Sequence, residues 1–273
     1  MTPQVDATVN RTIWFLWFQG LDEAPPVVQR CYRSWVETNP GWSVVPLDRT
    51  TLAGYELTDF EGGNLARLVP AHRADLIRLE LLARHGGVWA DATTYCASPL
   101  DSWLPALMPS GFFAFERRSE WAPPIANWFL AARPSNGLIL ALLERLLPYW
   151  RDHAFDNEAH PRLYPMLEAR LRGSDRRTRW WFSRLVRDRL SLAPYYAFHY
   201  AFADLVRTDP ACARIWRDTP RVPAGPSLRL LLDRELPDAV RRDIDARDTP
   251  LYKLSWKVPP TASVRYLLGD TAP

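Results

Sequence analysis

Asp91 closes the apolar run Gly87-Val88-Trp89-Ala90 and is followed by Ala92, Thr93 and Thr94. An apolar strand that stops on an acid and then on hydroxyls brings a carboxylate to the edge of a sheet, where it accepts hydrogen bonds or ligates a hard cation. Upstream, Asp75 and Arg78 are spaced i, i+3, so a helix there puts both on one face, with Arg73 nearby. Two readings of this pair stand side by side. On a solvated face it is an ion pair worth roughly 0–1 kcal/mol. Set between apolar neighbours, it offers a carboxylate to ribose hydroxyls and a guanidinium to a diphosphate. Asp91 has two readings as well: a turn cap after its strand, or the holder of a metal and a diphosphate.

The far end of the chain carries an independent signal. All 34 basic residues are arginine except Lys253 and Lys257, which flank Ser255 and Trp256. Compact ammonium charges concentrated there suit a C-terminal lid that closes over a diphosphate and stabilises a departing nucleotide; the alternative is a solvated strand end. Asn127 is a strand amide able to orient a bound polar group. His199 lies in a strongly aromatic helix, where a single imidazole is either a satisfied core residue or a ligand. Residues 169–192 concentrate arginine around Trp180, Trp181 and Phe182. That segment is either a charged helix packing its aromatics inward or a contact for an anionic membrane surface.

The elements that must position these residues follow from apolar periodicity. Residues 11–20 form a continuous aliphatic and aromatic run closed by Gly20, a buried strand. Pro25 and Pro26 open a helix with Val28, Cys31 and Trp35 at i, i+3 and i+7, ended by Asn39-Pro40-Gly41. Residues 42–48 are a second short strand. Residues 71–87 make the best-patterned helix, with Leu76, Leu79 and Leu82 as an apolar stripe and Gly86-Gly87 as its cap, and it feeds the strand that ends at Asp91. Residues 111–116 and 125–132 read as strands and 137–150 as an amphipathic helix; from Pro161 the pattern is helical, irregular and proline-rich. This βαβ rhythm predicts an α/β fold, a mostly parallel mixed sheet flanked by helices with a helical C-terminal portion. The expected division is a binding core over 1–155 and a helical, acceptor-side portion over 156–273.

At 273 residues and 47% hydrophobic, the chain has enough apolar content for one large domain and too much for disorder. A net charge of +3 argues against a nucleic-acid partner. Cys31, Cys96 and Cys212 are odd in number and far apart, neither a disulfide framework nor a metal-spacing pattern. The first twenty residues lack the basic region of a signal peptide, and no run is long enough to cross a bilayer. The expectation is a cytoplasmic protein, at most peripheral at the inner face of the cell membrane.

Residues 71–93, with Ala-Asp-Leu-Ile-Arg followed by Gly-Gly-Val-Trp-Ala-Asp-Ala-Thr, resemble the segment of glycosyltransferases that carries a DXD-type sugar-binding motif. The resemblance is greatest to the capsular polysaccharide synthesis proteins and the related family 32 glycosyltransferases, and residues 13–20, 34–48 and 127–132 resemble the same family in the same order. It implies a GT-A (Rossmann-like) fold, a nucleotide-sugar donor, and transfer of the sugar to a hydroxyl of a glycan or lipid-linked acceptor, with retention of configuration, in surface or capsular polysaccharide synthesis. By position, Asp75 and Arg78 would contact the donor's ribose or sugar and its diphosphate, and Asp91 would be the first acid of the motif. Trp17 and Gln19 would line the base pocket, and Lys253, Ser255, Trp256 and Lys257 would fold over the donor. Asp91, Arg78 and Asn127 would form the catalytic set. Thr93 stands where many relatives have a second acid, so Mn or Mg would be held more weakly, by Asp91, Thr93 and His199 as third ligand. Two rivals remain: a nucleotide-sugar hydrolase or nucleotidyltransferase on a similar sheet, and a catalytically silent nucleotide-sugar-binding protein, which Thr93 keeps open.

Overall fold

Both faces of the central sheet are covered in the computed structural model, which describes residues 10–117, 125–172, 174–232 and 235–270. The N-terminal nine residues, part of the stretch inspected for a leader, lie outside the described residues, as does Gly173 of the basic segment. Along the chain come β1 (Thr12–Leu16), α1 (Pro26–Thr38), β2 (Ser43–Leu47), α2 (Pro70–His85), β3 (Gly87–Asp91), β4 (Thr94–Cys96), α3 (Leu100–Trp103), β5 (Phe112–Glu116), β6 (Ile125–Ala132) and α4 (Gly137–Arg151). There follow α5 (Leu163–Leu171), α6 (Asp175–Thr178), α7 (Ala197–Thr208), α8 (Pro210–Asp218), α9 (Gly225–Leu232), α10 (Asp238–Ala246), β7 (Leu251–Lys253) and α11 (Ala262–Leu267).

The main sheet has the order β2-β1-β3-β6-β5, and β4 pairs with β7 in a separate small sheet. β1 runs parallel to β2 and β3, while β6 is antiparallel to both β3 and β5. Every strand of the main sheet except β6 therefore points the same way: a mostly parallel mixed sheet with flanking helices. Alternation along the strands splits the core in two. Trp14, Leu16 and Trp89 join α2, α4 and α7 on one face, and Ile13, Phe15, Val88 and Ala90 join α1 and the C-terminal residues Tyr252 and Val264 on the other. Each cluster draws on residues from both halves of the chain. All three cysteines are buried and free.

Three elements differ from the sequence expectation. β1 stops at Leu16 rather than running to Gly20, because the Gly20 amide donates to the Trp17 carbonyl (2.9 Å) and the chain turns out of the sheet. α2 is not merely striped: every residue from Asp75 to Ala83 is buried, since the helix packs against α4 as well as against β3 and β6. Its charged residues are carried into the interior with its leucines. Residues 169–192 do not make one helix. They break into the end of α5, α6, a 3-10 turn over Arg179–Phe182 and a π turn over Leu185–Arg189, with Trp181 fully buried and Trp180 50% exposed.

α2 passes into β3 without a loop, through Gly86 (φ +64°) and Gly87 (φ +93°). The Trp14 indole donates to the Gly86 carbonyl (2.9 Å), and a Cβ on Gly87 would stand 2.5 Å from the Thr12 carbonyl oxygen. Only glycine fits both the dihedral and the space, so the relative placement of helix and strand, and hence of Arg78 and Asp91, depends on this glycine pair. Gly87→Ala is expected to lower unfolding stability in urea by about 2 kcal/mol or more. Gly54→Ala, where nothing stands within 4 Å of the added carbon, should leave it nearly unchanged.

Candidate functional site

β1 and β3 end in register, Leu16 opposite Asp91, so the residues after each strand emerge at the same sheet edge. In open α/β sheets that edge, at the carboxyl ends of the strands, is where ligands bind. After the Ala92-Thr93 turn the chain continues as β4, whose antiparallel pairing puts Thr94 opposite Lys253, and the Leu254 amide donates to the Thr93 carbonyl at 2.7 Å. Backbone pairing thus delivers the C-terminal lysine segment to the Asp91 turn. An open cleft of about 1030 Å³ lies there. The residues expected at a donor or metal site all line it, namely Trp17, Gln19, Asp75, Arg78, Asp91, Thr93, Asn127, His199, Lys253, Ser255, Trp256 and Lys257, whereas Arg73 does not.

Inside the cleft edge the charges alternate. Asp75 Oδ1 lies 3.2 Å from Arg78 Nη1; Arg78 Nη2 donates to Asp91 Oδ1 (3.2 Å); Asp91 Oδ2 accepts from Lys253 Nζ (3.1 Å); and Lys253 Nζ also donates to Thr93 Oγ1 (2.7 Å). Arg78, 3% exposed, has a protein partner at every nitrogen, the others being the carbonyls of Asn127 (2.6 Å) and Ala74 (3.3 Å). Its guanidinium also lies 5.0 Å from the Trp89 ring centroid and 5.8 Å from that of Phe198. Asp91 takes a further bond from the Trp89 indole (2.9 Å). Burial works against ionisation of Asp91, but Lys253, Arg78 and the Trp89 bond together outweigh it and hold its pKa below the usual carboxylate range.

The remaining candidates surround this chain of charges. The Asn127 amide donates to Asp75 Oδ1 (2.9 Å) while its carbonyl receives Arg78, so Asn127 holds the pair in place. Trp17 meets Trp256, 49% exposed, edge to face at 5.5 Å, so the first-strand indole and the C-terminal segment are in direct contact. Gln19 is exposed on the rim. His199 is buried on α7 between the rings of Tyr196 and Phe198. Trp17 Nε1, Trp128 Nε1 and His199 Nδ1 are buried without a partner, and all three residues line the cleft. Buried polar atoms are nearly always paired, so these three are free to meet a polar group bound in the cleft.

Sequence reasoning missed Trp89, His72 and Tyr195. Trp89 stands two residues before Asp91 on a strand and so shares its face. His72 precedes Asp75 by three on the helix; its Nδ1 is 3.9 Å from Asp75 Oδ2 and its ring stacks on Trp150 at 4.5 Å. Both were legible from periodicity. Tyr195, exposed and 5.8 Å from the His72 ring, had no such signal.

The donor set does not fit the Mn or Mg site that the resemblance implies. Both oxygens of Asp91 are engaged, the Lys253 ammonium spans Asp91 and Thr93, and among the described residues no three His, Cys, Asp or Glu side chains gather where they could hold a metal ion. His199 adds a neutral imidazole to the cleft but belongs to no such group.

Residues 2–156 match the family model of the capsular polysaccharide synthesis proteins. Over 163 residues the chain is 27% identical to the O-glycosyltransferase braB of Annulohypoxylon truncatum, covering 52% of this chain and 38% of that protein. Over 105 residues it is 32% identical to the glycosyltransferase afumC of Aspergillus fumigatus, covering 34% of this chain and 27% of that protein. The chain thus spans well under half the length of these curated relatives. Among solved structures, the PaToxG glycosyltransferase aligns with a TM-score of 0.39 and 13% identity over 79% of this chain and 82% of that one.

Burial pushes the His199 pKa down to about 4, with Arg117 and Arg78 lowering it further and Asp75 and Asp91 opposing. An unfolded histidine takes up its proton near 6.5, so the unfolded state binds more protons over the interval between. Stability should therefore fall as pH drops from about 6.5 to about 4, by at most about 1.4 kcal/mol per pH unit from this residue. Urea unfolding at several pH values across that interval should show the slope, and His199→Gln should flatten it.

Proposed function

The chain belongs to the capsular polysaccharide synthesis protein family, and from that premise we propose that it transfers a sugar from a nucleoside-diphosphate donor to a hydroxyl of a glycan or lipid-linked acceptor. The observation that carries this reading is the cation-lined turn at Asp91-Ala92-Thr93, placed beside the Trp17–Trp256 pair at the carboxyl edge of the sheet. Cations beside an aromatic surface match a diphosphate joined to a base: indole faces accept a base by stacking, and ammonium and guanidinium groups neutralise phosphate. Both relatives described above are named as glycosyltransferases, which supports this reading.

On this reading Asp75 accepts from the donor's hydroxyls at the end away from Asn127, and Asp91 holds Arg78 and Lys253 in place. Lys257, carried by the same segment as Trp256, adds positive charge at the rim. The rate comes from stabilising the departing nucleoside diphosphate with preorganised charge and from positioning the acceptor. With no nucleophile identified, attack on the same face and retention of configuration is the default. Tyr195, exposed at the cleft and 5.8 Å from the buried His72 ring, suits contact with an acceptor. A lipid-linked acceptor agrees with the exposed Trp180 and Leu185 (50% and 61%) beside Arg176, Arg177 and Arg179, a surface for an anionic bilayer. Among the described residues no helix is long and apolar enough to cross a membrane, and the reading puts catalysis at the cytoplasmic face, in surface or capsular polysaccharide synthesis.

A panel of UDP-, GDP- and CDP-sugars, assayed for nucleoside diphosphate release with and without glycan acceptors, tests the proposal. Release that depends on an acceptor supports transfer; equal release without one indicates a hydrolase; binding with no release indicates a silent receptor. Asp91→Asn should lower kcat/KM about 100-fold or more, because the carboxylate that aligns the two cations is lost. Sedimentation with anionic vesicles should occur for the native chain and be lost when Trp180 and the three arginines are replaced by serine.

A further inference from the structure

Resting on the donor-site reading above, we infer that the Lys253 ammonium takes the place of a divalent cation, binding the donor's diphosphate directly so that donor binding needs no metal. Lys253 Nζ lies 3.1 Å from Asp91 Oδ2 and 2.7 Å from Thr93 Oγ1. Those are the side-chain oxygens that the Asp91-Ala92-Thr93 turn would offer to a cation. An ammonium has three donors; two are spent on Asp91 and Thr93, and the third remains for a phosphate oxygen in the cleft that Lys253 lines. The other Asp91 oxygen already receives Trp89 (2.9 Å) and Arg78 (3.2 Å). A metal ion entering here would have to expel a like charge and break both lysine bonds.

Charge balance points the same way. Two carboxylates and a divalent cation sum to zero; one carboxylate, one hydroxyl and one ammonium also sum to zero. Thr93 and Lys253 are thus matched to each other, and either alone would leave the turn unbalanced. The placement is built into the backbone rather than left to a mobile side chain, since β4 and β7 pair with Thr94 opposite Lys253. Residue type agrees as well. In a chain whose other basic residues are arginine apart from Lys257, a lysine stands where a compact charge must fit between two oxygens, which a planar guanidinium fork does not do. During transfer the anomeric C–O bond breaks and its electron pair passes to the diphosphate, where Lys253 meets the developing charge. The acceptor oxygen forms the new bond to the anomeric carbon, and its proton leaves with the diphosphate.

Calorimetric titration of UDP, GDP and CDP into protein dialysed against EDTA, and into the same protein with MnCl2, reads this directly. The best of the three should bind the native chain with Kd equal within about twofold in the two conditions. Lys253→Met should weaken binding about tenfold or more in EDTA, the scale of one charge-assisted hydrogen bond. Lys253→Asp, which supplies a second carboxylate, should bind only when Mn is present. Binding by the native chain that requires Mn, or undiminished binding by Lys253→Met, overturns the inference while leaving the donor site intact. Should the variants fail to fold, judged by their melting without ligand, the EDTA and Mn comparison on the native chain still decides. No binding of any of the three diphosphates in either condition overturns the donor-site reading itself, and this inference with it.

Discussion

A guanidinium cannot be buried alone. Arg78 is almost wholly enclosed, and the cost of removing an unpaired charge from water is several kcal/mol. The structure meets that requirement by bringing Asp75 from the same helix, Asp91 from the following strand and the Asn127 carbonyl from β6 to one point, beneath the rings of Trp89 and Phe198. Asp91 in turn draws in Lys253 from β7. Three elements of the first half, α2, β3 and β6, are tied to β7 of the second by one alternating set of charges whose formal sum is zero.

The same constraint explains why the cleft is a joint product of both halves of the chain. The family-matched stretch, residues 2–156, contains Trp17, Gln19, Asp75, Arg78, Asp91, Thr93 and Asn127. His199 and the segment from Lys253 to Lys257 come from beyond it, and the small β4–β7 sheet is the device that carries the latter across. Without that pairing Asp91 Oδ2 and Thr93 Oγ1 would face the cleft without a cation. The Gly86-Gly87 turn sets the other boundary, because it leaves no slack between the helix that bears Arg78 and the strand that bears Asp91.

Much of the scaffold was legible beforehand for identifiable reasons. α1 and α4 announce themselves by period and by proline or asparagine at their starts. β3 is an apolar run bounded by glycine and acid, and Pro46 in β2 is tolerated because β2 is an edge strand. The failures were equally physical. The leucine stripe of α2 suggested one buried face, but a helix enclosed by sheet and helix alike buries its charges too, and no local pattern reports how many neighbours a helix will have. Residues 169–192 look continuous by composition, yet Trp181 is pulled into the core while Trp180 is left outside.

By itself the sequence determined that Asp75 and Arg78 share a helix face and that Asp91 ends a strand, because apolar periodicity assigns helix faces and strand ends; grouping them with Trp17, Gln19 and the segment from Lys253 to Lys257 rested on the family resemblance. It also singled out Lys253 and Lys257 through composition alone. Only the tertiary structure decided what these groups do to one another: that Arg78 is consumed by internal partners, that Asn127 clamps Asp75, and that an ammonium stands between Asp91 and Thr93. Those outcomes depend on ångström distances between residues far apart in the chain, set by sheet register and helix packing, and charge pairing changes character over such distances.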